Sequence, residues 1–294
     1  MGLKNKIPWW LRITAKVLLS RLPVGYAVWK RLGLFVHGDM NQPANALDTF
    51  LMHVKTAGLQ LPLHDETNFA LLELGPGDSV FTALIARAFG VRCTWLVDAG
   101  AFAMSDPAVY AGMAQYLLEQ GYTLPFSTDF SDIDDVLTKC NACYLTDGVS
   151  SLAQIPDNSI DFCLSNAVLE HIPKLDFFRL VCELKRVLKP DGTCVHRVDL
   201  KDHLGGGLNN LRFSEAAWEG PLFSRSGFYT NRIRYAEMLA FFEQAGFACV
   251  IPRKISWDTL PIARSALAVE FQALPDENLL VSGFDIVLRH KANG

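Results

Sequence analysis

No stretch of about 18 uncharged apolar residues occurs in this sequence, which excludes a membrane-spanning helix of ordinary length. A surplus of one charge is missing too. The 27 lysines and arginines face 31 aspartates and glutamates, for a net charge of -4, so the chain as a whole has no pull toward nucleic acid. The seven cysteines, at 93, 140, 143, 163, 182, 194 and 249, are odd in number and scattered, mostly in apolar runs. That argues against a disulfide framework and for reduced thiols in a cytoplasmic protein. Cys140 and Cys143 make a single C-x-x-C with no second pair or histidines at zinc spacing, so no metal is expected there or elsewhere. A secretory signal is absent as well. Arg12 and Lys16 break the N-terminal apolar run, and no small-residue cleavage site follows. Internal repeats and low-complexity tracts are lacking. One further gap is local. "LLELGPGDSV" (71–80) has Gly75 and Gly77, but Val80 stands where a dinucleotide loop would carry its third glycine.

Acidic residues are missing from one region only. Residues 1–38 hold Lys4, Lys6, Arg12, Lys16, Arg21, Lys30 and Arg31, and the first acid is Asp39. "PWWLRITAKVLLSRL" reads as a helix from Pro8 to the stop at Pro23. Arg12, Lys16 and Ser20 form a narrow polar stripe, and Trp9, Trp10, Ile13, Val17, Leu18 and Leu22 cover a wide apolar face. Two readings stay open. The helix caps the core, or it lies on the inner face of the cell membrane with its bases on anionic lipid.

Strands and helices alternate beyond that region. A helix is expected over 43–58, closed by Gly58. Strands are expected at 69–74, 91–98, 142–147, 159–166, 193–200, 248–254 and 280–288. Helices fall at 79–90, 106–121, 175–192 with a Pro-Asp-Gly stop, and 234–247. This predicts an α/β fold, a doubly wound, mostly parallel seven-stranded sheet with an N-terminal helical extension. The division is a basic extension over 1–60 and the main domain over 61–294, with 200–234 inserted after the fifth strand.

In such sheets ligands bind at the carboxyl ends of the strands. Gly75 and Gly77 allow a sharp turn and close backbone approach there. Asp98 ends the second strand 25 residues after Glu73 and can accept from a ribose diol. These features suit any adenosine cofactor. Ser79 or Asp78 is the expected cap of the helix that follows.

Finer detail favours one cofactor. "ELGPGDS" has the form Glu-x-Gly-x-Gly, which resembles the first motif of class I S-adenosylmethionine-dependent methyltransferases of the type 11 kind. "LVD" with Asp98, "TDGVSSLAQIPDNSIDFCLSNAVLEHI" (146–172) and "ELKRVLKPDGTCV" (183–195) are similar to later motifs in the same order. The likeness spans about residues 65–250 and implies the family's fold, activity and cofactor. It implies that Glu73 faces the methionine amino end and that Gly75 and Gly77 give backbone room. It implies that Asp98 holds the ribose and that Asp147, with the Gly148 backbone, meets the adenine. Asn166 then lines the floor near the methyl group. Asp147 can also be read as a helix cap or turn acid. The chain also resembles bacterial methyltransferases associated with cell-surface polysaccharide genes, which implies a sugar, glycan or lipid-linked acceptor.

An oxygen acceptor calls for a base. His171 and His203 are the candidates, with Asp199 beside them at the end of the fifth strand; each histidine also reads as a structural one. In the insertion, Gly205 to Gly207 are expected to act as a hinge. Arg197, Asn210, Arg212, Tyr229 and Arg232 are candidate acceptor contacts, since amides, guanidinium groups and aromatics suit polyhydroxy or phosphorylated molecules. Two other functions remain in competition: a non-catalytic scaffold at the membrane that kept the fold, and a nicotinamide-dependent oxidoreductase.

Overall fold

The computed structural model describes residues 11, 13, 14, 41–63 and 69–292. The expected helix over 8–22 lies outside the described residues except at Leu11, Ile13 and Thr14. Among the described residues, no helix is long and apolar enough to cross a membrane.

Seven strands form one sheet in the order β3-β2-β1-β4-β5-β7-β6. They are β1 (Ala70–Leu74), β2 (Cys93–Val97), β3 (Ala142–Leu145), β4 (Ile160–Asn166), β5 (Leu188–Asp199), β6 (Phe247–Ser256) and β7 (Val281–His290). The first five are parallel, and β7 runs antiparallel to both β5 and β6. This is the expected doubly wound architecture. All five residues of β1 are buried, as a central parallel strand covered on both faces should be.

Helices α1 (Pro43–Ala57), α2 (Phe81–Ala88), α3 (Pro107–Glu119) and α4 (Ile133–Cys140) cover one face, packing Phe50, Leu84 and Met113 against Leu71, Phe162 and Val195. Helices α5 (Lys174–Val187) and α6 (Tyr235–Gln244) cover the other, where Phe177, Leu184 and Phe242 meet Leu72, Cys163 and Ile286. The ends of α1 follow local chemistry, with Pro43 in the first turn and Gly58 left-handed at the C-cap.

Three local expectations need correction. The helix before β5 ends at Val187, and Pro190-Asp191-Gly192 lies inside β5 rather than stopping the helix. Pro190 disfavours helical geometry at the residue before it, so the chain extends early. The pairing with β4 slips between Ile160 and Phe162, and a Cβ at Gly192 would stand 2.9 Å from the Ile160 carbonyl oxygen. Second, Val80, not Ser79 or Asp78, occupies the N-cap of α2, and its side chain makes no cap bond. Third, α4 was not anticipated. Its signal is Asp132, whose carboxylate caps it by accepting from the Asp135 N–H at 2.8 Å.

Candidate active site

The strand order reverses between β1, flanked by β2, and β4, flanked by β5. A crevice at the carboxyl ends of β1 and β4 is the place this topology provides for a ligand. Two clusters of expected residues stand there.

The first surrounds the glycine loop. Gly75 and Gly77 both take φ of +66°, a left-handed conformation that side chains disfavour. The Gly75 N–H donates to the Val97 carbonyl at 2.8 Å, and a Cβ on Gly75 would overlap the Val168 side chain. The loop is thus pressed onto the turn after β4. One Asp98 oxygen accepts from the Gly77 N–H at 2.8 Å and the other from the Ala99 N–H at 2.7 Å. The Gly148 N–H donates to the Asp98 carbonyl at 2.8 Å. Asp147 is exposed at the end of β3 and precedes the turn Gly148–Gln154, with no side-chain cap bond; its N–H donates to the Ser151 hydroxyl.

Glu73 is the unusual member of this cluster. It is 5% exposed, and its Oε2 has no hydrogen-bond partner. Burial pushes its carboxyl up to about 8, with the Asp98 charge adding to the rise and the Thr82 hydroxyl opposing it. Asn166, at the end of β4, likewise has a buried Oδ1 without a partner. A buried acceptor without a donor costs free energy, so both atoms fit a ligand that brings donors.

The second cluster follows β4. His171 donates from Nδ1 to the Tyr229 carbonyl at 2.8 Å, and its ring meets that of His203 at 4.7 Å between centroids. Glu170, between these elements, is buried, and neither carboxylate oxygen has a hydrogen-bond partner. Burial pushes it up to about 8; the nearby Glu170 and Asp199 N–H groups, too poorly aligned for ordinary hydrogen bonds, and the Lys201 charge oppose the rise, and the Asp199 charge adds to it. Glu170 was not among the expected residues. Its sequence signal, an acid beside His171 in "LEHI", was overlooked because a glutamate after a strand is ordinarily solvated. The Glu170, His171 and His203 ligand atoms lie close enough to hold a metal ion.

The expected acceptor residues are mostly engaged elsewhere. Arg197 pairs with Asp285 at 2.9 Å. Asn210 is buried and donates to Thr230. Arg212 donates to Asn209. Arg232 is buried, pairs with Glu215 at 2.8 Å and lies over the Trp218 ring. The Tyr229 hydroxyl donates to Glu219 while its carbonyl holds His171. Nor is Gly205–Gly207 a bare hinge. The buried Asp202 carboxylate accepts from the N–H groups of Leu204, Gly206 and Asn209, winding the chain around itself. The insertion has its own core of Leu204, Trp218, Phe223, Phe228 and Tyr229, which also takes in Ile13.

His196 lies off the site. It is fully buried within the sheet, where burial pushes it down to about 3 and keeps it neutral. Cys140 is buried and Cys143 exposed, so the C-x-x-C pair does not act as a unit.

Several known proteins are similar to this chain. A family model described as "Methyltransferase domain" matches residues 132–196. An uncharacterized methyltransferase of Mycobacterium avium is 27% identical over 216 residues, which cover 67% of this chain and 72% of that protein. Among solved structures, the YcgJ protein of Bacillus subtilis is 19% identical with a TM-score of 0.45, covering 85% of this chain and all of that one. A phosphoethanolamine N-methyltransferase of Haemonchus contortus, solved with phosphomonomethylethanolamine and S-adenosylhomocysteine, is 15% identical with a TM-score of 0.45, over 84% of this chain and 53% of that one.

Proposed function

We propose that this chain is a methyltransferase of the class I family and that it moves the methyl group of S-adenosylmethionine onto a hydroxyl of a sugar, glycan or lipid-linked small molecule. The observation that carries the cofactor assignment is the unpartnered Oε2 of buried Glu73 beside a glycine turn. An organic ammonium answers that carboxylate with charge and donors together. The residues present fit the rest of the cofactor. Gly75 and Gly77 offer backbone without side chains. Asp98 ties the glycine loop to the end of β2 by accepting from the Gly77 and Ala99 N–H groups, and it is assigned to the ribose diol. Asp147 and Gly148 are assigned to the adenine edge, and Asn166 to the floor. The cofactor, when bound, supplies a methyl on a sulfonium centre open to in-line displacement.

On the acceptor side, this chain's own residues must orient a hydroxyl and take its proton. We assign proton removal to the cluster of His171, His203 and Asp199, which follows β4 and β5. Tyr229 holds the His171 ring through its carbonyl, and Arg212 lies on the same inserted segment as a candidate contact. Asn210, Arg197 and Arg232 are assigned to holding the insertion and β5 in place. The division into an extension over 1–60 and a catalytic domain over 61–294 belongs to the same reading.

Titration calorimetry with S-adenosylmethionine tests the cofactor assignment. Binding should be clear for the native protein and at least tenfold weaker for Glu73→Gln. Binding of a nicotinamide dinucleotide in its place would overturn it. Transfer of labelled methyl to nucleotide sugars, lipid-linked glycans or small phenols tests the acceptor class. Cofactor binding with transfer to none of them would favour the scaffold reading.

The seven bases and absent acids of residues 1–38 support a cytoplasmic protein held at the inner membrane face. Sedimentation with anionic vesicles should depend on that segment. Equal sedimentation after its removal would exclude it.

A further inference from the structure

We infer that Glu170, His171 and His203 form a binding site for one divalent transition-metal ion. One ligand atom from each residue lies within 4.8 Å of the others. Bound metal would draw them closer, since bonds of about 2.0–2.2 Å put neighbouring tetrahedral ligands about 3.3 Å apart.

Glu170 is the independent sign of a ligand. It is 1% exposed, and neither carboxylate oxygen makes a hydrogen bond of ordinary geometry, with only the Glu170 and Asp199 N–H groups near it as donors. An acid so placed calls for a cation, and the groups gathered beside it are two imidazoles. The carbonyl of Tyr229 takes the Nδ1 proton of His171 at 2.8 Å, which leaves the ring's lone pair on Nε2. A metal-ligating histidine ordinarily donates its other ring N–H to a carbonyl or carboxylate in this way. The backbone that presents these side chains is tied down. The Glu170 carbonyl accepts from the Asn231 N–H at 2.7 Å, and the Asn231 amide donates to the carbonyls of Leu169 and Ile172.

Two imidazoles and one carboxylate suit zinc and its neighbours rather than magnesium or calcium, and three protein ligands leave a position open. The other ligand-bearing group, Cys163, Cys194 and His196, is buried inside the sheet. It offers no open position toward a crevice. For its chemical use the inference rests on the methyl-transfer reading: a cation there would make an acceptor hydroxyl easier to deprotonate. The site itself stands on the cluster alone.

The test uses the full chain, stripped with a chelator and titrated with cobalt(II) and zinc without cofactor or acceptor. One equivalent should bind, with visible cobalt absorption and no thiolate-to-cobalt charge-transfer band. His203→Ala and the near-isosteric Glu170→Gln should each weaken binding at least tenfold, and Cys163→Ala should leave it unchanged. Circular dichroism checks that each variant folds, and Glu170→Gln carries the test if His203→Ala does not. No binding at micromolar metal, binding indifferent to Glu170→Gln, or a thiolate band would overturn the inference. Cofactor binding, measured separately, distinguishes this failure from failure of the methyltransferase reading.

Discussion

Glu73 and Glu170 sit at the carboxyl ends of neighbouring strands, both buried and both pushed up to about 8 mainly by that burial. Their surroundings differ. Glu73 has the Thr82 hydroxyl, two left-handed glycines and the Asp98 carboxylate nearby. Glu170 has His171 and His203. Burial creates the same demand for positive charge in both places, and the neighbours decide what can meet it. Backbone turns with no side chains leave room for an organic ammonium, whereas imidazole nitrogens complete a metal's ligand set. Each half of that comparison can be broken alone.

The largest effect should come from Gly75→Arg. The residue needs φ of +66°, and even a Cβ there overlaps Val168. Cofactor affinity should fall at least a thousandfold, about 4 kcal/mol, by calorimetry. Metal binding at Glu170 should persist if the chain folds, and thermal unfolding will report the strain. Undiminished cofactor binding would remove the glycine loop from the site.

Glu73→Gln should cost roughly a hundredfold in cofactor affinity, about 2.7 kcal/mol, because the amide keeps the shape and loses the charge. It should also change stability in a direction opposite to ordinary surface acids. Above pH 4.5 the unfolded chain releases this proton, while the folded protein keeps it to about 8. The contribution is therefore fully present below about pH 4.5 and is lost as pH rises through about 8, by at most about 5 kcal/mol. Chemical denaturation of the cofactor-free protein should show the native chain weakening between about pH 5 and about pH 8.5 and the variant weakening less. Parallel curves would mean that Glu73 finds a partner or water.

These contrasts mark how far the sequence could be read. The mostly parallel seven-stranded sheet and the loop after β1 were legible because buried parallel strands and a Glu-x-Gly-x-Gly turn are local patterns. The insertion was not. Arg232 looks like a ligand-seeking guanidinium in sequence, yet it pairs with Glu215 and stacks on Trp218, neither of which any spacing rule connects to it. Asp202 organises the glycine run by accepting from the Leu204, Gly206 and Asn209 N–H groups, a turn chemistry hidden behind the apparent looseness of Gly-Gly-Gly. Glu170 escaped notice because nothing local distinguishes a buried glutamate from a solvated one.

Asp98→Asn should have a smaller effect, roughly tenfold in cofactor affinity, about 1.4 kcal/mol. The native carboxylate accepts from Gly77 with one oxygen and Ala99 with the other. An amide has one oxygen, so one of these N–H groups would face an NH2 and the glycine loop would shift. A loss in affinity without a loss in metal binding keeps the two clusters separate; a loss in both would join them.

The smallest and sharpest effect concerns the imidazole pair. Replacing His171 or His203 by alanine should lower turnover about tenfold, about 1.4 kcal/mol, and leave cofactor affinity unchanged. The pH profile tells which role is lost. A free imidazole base makes turnover rise with an apparent pKa in the histidine range, and the alanine variant loses that limb. A metal held with Glu170 makes turnover track added cation instead, and Glu170→Gln then imitates the histidine variants. Turnover that ignores both histidines and the glutamate would leave the acceptor aligned by shape alone, since displacement at a sulfonium needs in-line geometry before it needs a base.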